Sequence, residues 1–201
     1  MTDVTTGRRG DARARLLDAA VAYVSEHGIG ELSLRALARA LGTSHRMLIY
    51  HFGSKEELLV EVVRTVEERQ RDALAALDAG DSRTQADVMR AMWHRFADPA
   101  LWPNERLFFE LYGQALQGRP HTAHVLDGIV DSWVEPAVEM SRRYGVPDDV
   151  ARVDARLAVA VTRGLLLDLL ATGDRAAVDA AMERFVALYE RNGSITEPPR
   201  S

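Results

Sequence analysis

His45, Arg46 and Met47 stand together in a 24-residue segment, LSLRALARALGTSHRMLIYHFGSK from Leu32 to Lys55, and their side chains suit the reading of base-pair edges. Arg46 can present a guanidinium fork to guanine, and Met47 an apolar contact to a thymine methyl group. Tyr50, His51 and Lys55 follow and suit phosphate oxygens, and Ser33, Arg35, Thr43 and Ser44 upstream are further candidates for DNA contact. Phosphate contacts of that kind set register on a duplex, while base contacts set sequence preference.

Two short helices must position these residues. Ser33 is a good N-cap, and Leu34, Leu37, Ala38 and Leu41 follow at the i, i+3, i+4, i+7 spacing of one buried stripe. Gly42 then suits a helix end that needs a left-handed residue, and Thr43-Ser44 supply the next N-cap. In the second helix Leu48 and Phe52 lie four apart on an inner face, and Arg46 and Tyr50 lie four apart on the opposite one. The spacing predicts a helix-turn-helix at about 32–51, whose second helix enters the major groove N-terminus first. Ser54 is positioned to cap a further helix, with Lys55 at its positive end.

The stretch LLDAAVAYVSEHGIGELSLRALARALGTSHRMLIYHFGSKEELL, Leu16 to Leu59, resembles the DNA-binding domain of the tetracycline-repressor (TetR) family of bacterial transcriptional regulators. The features that carry the resemblance are the alanine-rich first helix ending in Glu-His-Gly, the Leu-Arg-x-Leu-Ala second helix, Gly-x-Ser, and the run Tyr-His-Phe-x-Ser-Lys-Glu-x-Leu from Tyr50 to Leu58. One departure is Ile49, where the family usually has tyrosine. The resemblance covers about the first third of the chain. It implies a palindromic operator bound by a homodimer, repression as the default, a small effector held among the middle helices, and a fourth helix that links the effector to the DNA-reading domain.

Bulk properties agree with a globular, helical, DNA-binding chain. Its 201 residues are 47% hydrophobic, with no run of eighteen apolar residues, which argues against a membrane span or a signal peptide. The absence of cysteine excludes disulfides and thiolate zinc sites and fits a cytoplasmic protein. The formal net charge of −5 is unevenly distributed: eight Lys and Arg face five Asp and Glu through Lys55, a net +3, which leaves −8 for the rest. Such asymmetry suits one basic domain beside phosphates and an acidic remainder. His121, His124 and Asp127 lack the further ligands a metal needs, so neither metal nor cofactor is expected. With no glycine-rich phosphate loop, nucleophile elbow or His-Glu-x-x-His run, an enzyme is the poorer reading.

The expected architecture is all-α with about nine helices. Residues 1–10 form a disordered polar arm with Arg8 and Arg9, 11–55 the DNA-binding domain, 56–80 a connecting helix, 81–192 a ligand-binding and dimerisation domain, and 193–201 a disordered tail. Five helices are expected in the last domain, at about 82–97, 104–117, 121–144, 148–172 and 174–191, with Pro136 kinking the third. The aromatics concentrate in the middle. Met89, Met92, Trp93, Phe96, Trp102, Phe108, Phe109, Tyr112 and Trp133 could line a pocket for a small apolar or aromatic effector, although any one of them is core by default. Leu157, Val161, Gly164, Leu165 and Leu169, with Met182 and Phe185, suit a two-fold four-helix interface. Two other readings fit the same residues: a DNA-binding regulator without an effector, and a helical binding protein or enzyme with an incidental hairpin.

Overall fold

Helix starts and stops follow local chemistry along most of the chain. The computed structural model describes residues 3–28, 33–78 and 84–193, which among them hold nine α-helices and no strand. These are α1 (Asp3–His27), α2 (Leu34–Ala40), α3 (His45–Phe52), α4 (Lys55–Asp78), α5 (Gln85–Phe96), α6 (Trp102–Leu116), α7 (Asp131–Arg143), α8 (Asp148–Thr172) and α9 (Arg175–Gly193). Short 3-10 turns cover Pro99–Leu101 and Pro120–Leu126. The α5 start is a reciprocal capping box: Thr84 Oγ1 accepts from the Asp87 amide at 3.2 Å, and the Thr84 amide donates to Asp87 Oδ2 at 3.0 Å.

The chain divides into two compact units. The first comprises the residues up to Gln70 together with Ala100–Asp127, and the second runs over Arg71–Pro99 and from Gly128 onward. In the first, α1, α2, α3, α4 and α6 each bury aliphatic side chains, among them Val24, Leu37, Leu48, Val62, Leu107 and Leu111. In the second, Val134 and Val138 of α7 pack on Ala151 and Ala155 of α8, where the small alanines permit close helix approach. Two tryptophans of this unit are anchored. Trp93 Nε1 donates to Asp179 Oδ1 at 2.6 Å, and the Trp133 ring meets Phe96 edge-on at 5.4 Å.

Three features differ from the sequence-based expectation. The segment expected as a disordered arm, residues 1–10, is helical from Asp3, because α1 extends N-terminally by adding single residues to a turn already nucleated by its packed half. The single helix expected over 121–144 is interrupted. Gly128 adopts φ +66°, a left-handed conformation that ends the 3-10 turn, and α7 restarts at Asp131 with Pro136 inside it. Finally, residues 100–127, expected in the C-terminal domain, pack with the N-terminal unit. Asn104 and Glu105 account for this, since they reach back to Ser25 of α1 (2.8 Å from Asn104 Nδ2 to Ser25 Oγ) and Gln70 of α4 (2.7 Å from its Nε2 to Glu105 Oε1). The expected tail falls almost entirely outside the described residues.

Candidate nucleic-acid interface

The α2–α3 hairpin is built from its caps outward. Ser33 Oγ accepts from the Ala36 amide, and Ser44 Oγ from the Met47 amide, each at 3.1 Å, so each serine satisfies a donor that the helix leaves open. Between them Gly42 takes φ +62°, a conformation costly for any side chain, while the Thr43 amide closes back on the Ala38 carbonyl at 2.9 Å. Leu48 and Phe52 are buried and fix the roll of α3 about its axis. That roll leaves His45 and Arg46 exposed, with Met47 and Tyr50 exposed at 40% and 54%. Ser54 Oγ accepts from the Glu57 amide at 3.0 Å and caps α4, which sets Lys55 in its first turn.

Most of the residues expected to contact DNA are therefore open to solvent. Ser33, Arg35, Ser44, His45, Arg46, Met47 and Tyr50 are exposed, and Thr43 and Lys55 are half-buried. His51 departs from the expectation. Its ring turns inward between Tyr50 and Phe52, at 5.1 and 6.2 Å, and its Nε2 is buried without a hydrogen-bond partner. The helical spacing that puts Leu48 and Phe52 in the core carries the neighbouring His51 halfway in with them. Ring rotation is needed before this nitrogen meets a phosphate.

A residue that the sequence did not single out holds this surface. Arg13 of α1 donates from Nε to the His51 carbonyl at 3.3 Å, pairs with Glu61 of α4 at 3.0 Å, and lies 5.0 Å from the centre of the Phe52 ring. No local pattern links positions 38 residues apart, so the contact is a product of tertiary folding alone.

The remaining nominated residues separate by unit. Met89, Met92, Trp93, Phe96 and Trp133 belong to the second unit, and Trp102, Phe108, Phe109 and Tyr112 to the first. In the first unit Phe108 lies 5.2 Å from Phe109 and 5.5 Å from Tyr112, ring centre to ring centre. A small cavity of about 10 Å³, room for one water, lies in this unit, lined by Val62, Val63, Val66 and Glu67 of α4 and by Asn104, Glu105, Leu107 and Phe108 of α6. Of the nine aromatic and methionine candidates, only Phe108 lines it. Among the described residues no group of three or more metal-ligating side chains is assembled, and the side chain of His121 lies outside those described. No described helix is long and apolar enough to cross a membrane.

The nominated dimer residues are also sorted by burial. Leu157 and Gly164 are exposed and Val161 and Leu165 half-buried, but Leu169, Met182 and Phe185 are buried in their own chain. α8 carries apolar residues on two faces, and one of them packs inward through Ala151, Ala155, Leu166 and Leu169. The other face remains open. Val150, Val153, Leu157, Ala160, Gly164, Leu167 and Ala171 are all exposed and alternate by three and four residues, the spacing of a helix–helix seam.

Comparison with known proteins bears on the first of these surfaces. A family model described as bacterial regulatory proteins, tetR family, matches residues 16–62, the stretch that contains α2, α3 and the start of α4. The regulator BetI of Agrobacterium fabrum is 38% identical over 66 residues, 32% of this chain and 32% of BetI. The chain thus matches about a third of the length of that curated relative. A transcriptional regulator from Rhodococcus sp. RHA1 superimposes with a TM-score of 0.70 at 22% identity, over 92% of this chain and 96% of its own. Another, from Saccharomonospora viridis and solved in complex with choline, gives 0.63 at 22% identity, over 90% and 95%. At such identities the structural likeness is one of fold, and it extends beyond the first domain. The family match covers residues 16–62, so the DNA-reading helices are similar to those of the tetR family of bacterial regulatory proteins, and the chain as a whole shares the fold of the solved regulators.

Proposed function

We propose that this protein is a transcriptional repressor that binds a palindromic DNA operator as a homodimer and is released by a small-molecule effector. The observation that carries the reading is the exposed outer face of α3, where His45, Arg46, Met47 and Tyr50 stand clear of a core fixed by Leu48 and Phe52. Arg46 and Met47, in the first turn, contact bases; Tyr50 and Lys55, with Ser33, Arg35, Thr43 and Ser44, contact phosphate. One eight-residue helix reads only a few base pairs. Two such helices about 34–36 Å apart read a palindrome, and the exposed seam of α8 with Leu188 of α9 supplies the apolar face on which two copies can meet. The named relatives are regulators rather than enzymes, and the protein acts in the cytoplasm, where its DNA is.

The effector is a small molecule with apolar or aromatic surface. The Saccharomonospora relative holds choline, and the cavity between α4 and α6 offers two buried carboxylates, Glu67 and Glu105, beside the Phe108 ring, a setting that favours an organic cation. Anything larger than water must part α4 from α6. Since α4 begins at Lys55, directly after the α3 turn, its displacement changes the presentation of α3 and costs operator affinity. Selection of bound duplexes from a random pool tests DNA recognition, with an enriched palindrome expected and no enrichment against it. Choline and larger amines are then screened by thermal shift. A compound that stabilises the protein and weakens operator binding supports the coupling, and equal operator affinity with and without it contradicts the coupling.

A further inference from the structure

We infer that Arg13 is a positioning residue for DNA recognition: from α1 it sets the orientation of α3, and it does so without touching DNA. The inference rests on the reading above, in which α3 enters the groove. One guanidinium contacts three helices: α1, which carries it, α3 through the His51 carbonyl at 3.3 Å and the Phe52 ring at 5.0 Å, and α4 through Glu61 at 3.0 Å. The His51 carbonyl belongs to the last turn of α3, where carbonyls lack intrahelical donors and the helix dipole is negative, so a cation is held there for two reasons.

Arginine is the residue that can meet all three demands. Its planar fork serves a carbonyl and a carboxylate at once while its face lies over an aromatic ring, and a lysine ammonium offers only a point charge. The need for such a pin follows from the length of α3. Eight residues make few internal hydrogen bonds, so orientation depends on tertiary contacts, here Leu48, Phe52 and Arg13. Base recognition by Arg46 tolerates errors of only about 10–20° in presentation, whereas contacts to phosphate are more forgiving. Without the pin, preference for the operator therefore falls more than binding to DNA in general.

The alternative for an arginine in a DNA-binding domain is a direct phosphate contact, and salt dependence separates the two. Removing one phosphate-binding cation reduces the slope of log affinity against log salt by about 0.9, and a residue that never meets DNA leaves the slope unchanged. The test uses the full-length protein and its Arg13→Gln, Arg13→Lys and Glu61→Gln variants. Amide hydrogen exchange in the absence of DNA is expected to accelerate about tenfold at Leu48–Gly53 in Arg13→Gln, less in Arg13→Lys and Glu61→Gln, with α6 and the second unit unchanged. Against the operator selected by the wild type and a random duplex, the operator preference of Arg13→Gln is expected to fall about tenfold at an unchanged salt slope.

Unchanged exchange in α3, an unchanged operator preference, or a slope reduced by about one overturns the inference. If Arg13→Gln does not fold, Glu61→Gln decides on the same readouts, because it frees the guanidinium from α4 and leaves the charge in place. If the wild type selects no operator, the functional reading fails by itself, and the exchange measurement still decides whether Arg13 holds α3.

Discussion

The outer faces of α3 and α8 both lie open, yet they differ in chemistry. On α3 an imidazole, a guanidinium and a phenol are exposed beside Met47 and Ile49, and Ser44 at the helix start satisfies one of its open amides. On α8 they are Val150, Val153, Leu157 and Leu167, exposed at 44, 68, 49 and 52%. A polar face of this kind is at ease in water and gains from a polyanion. A continuous apolar seam is not, and it gains from being covered. The contrast teaches that exposure alone does not identify a site, and that the chemistry of what is exposed names its partner.

The sharpest way to break the comparison is to charge the apolar face. Leu157→Glu is expected to weaken self-association by about 4 kcal/mol, roughly a thousandfold, since two-fold symmetry presents the substitution twice, and sedimentation equilibrium measures it. A variant as dimeric as wild type would remove α8 from the interface. On the polar face, Arg46→Ala is expected to cost about 1–3 kcal/mol at one base position and to relax preference there, read from selection profiles of the two proteins. Lys55→Ala is expected to weaken binding to every duplex by about 1 kcal/mol and to reduce the salt slope by about one, with the sequence profile intact. Ser44→Ala removes the α3 cap and is expected to lower thermal stability by about 1 kcal/mol, seen by calorimetry.

The smallest effect concerns acid, and it distinguishes the two units. In the second unit the Arg90 guanidinium holds the Glu183 carboxyl below its ordinary range, and Arg152 does the same for Glu135. Burial by itself would raise the Asp179 carboxyl, but hydrogen bonds from Arg175 and Trp93 bring it lower. A carboxyl held low in the folded state stabilises at neutral pH, and that contribution disappears as pH falls from about 4 through the folded value. Asp154, raised by burial, acts with the opposite sign. Amide protection, measured relative to the intrinsic exchange rate at each pH, is expected to fall between pH 5 and pH 3 in α5 and α9, and less so in Asp179→Asn, where part of the sensitivity is already gone. An equal loss of protection in that variant and wild type would show that Asp179 is not a source of the acid sensitivity.

What the sequence reveals here is what short-range chemistry determines. The caps at Ser33, Ser44 and Ser54 and the left-handed Gly42 lie within a few residues of the groups they serve, and each appears where its residue type predicts it. The all-α class follows from the same helix periods. Long-range facts are out of its reach. Arg13 meets His51 across 38 positions, and Asn104 meets Ser25 across 79, so nothing near either residue betrays the contact. Leu169, Met182 and Phe185 look like interface residues in sequence because an apolar stripe has the same period whether it faces a partner or its own core. Gly128 breaks a helix expected to run on to 144, since a lone glycine in a helical pattern is tolerated as often as it terminates.

In the proposed complex two copies of α3, held together by α8 and α9, enter successive major grooves on one face of a duplex. Hydroxyl-radical footprinting of the wild-type protein on its selected duplex tests this directly. Two protected patches are expected on one face with centres about 10 base pairs apart, which Leu157→Glu at the same concentration fails to produce. A single protected patch, or two that persist unchanged in Leu157→Glu, would contradict it.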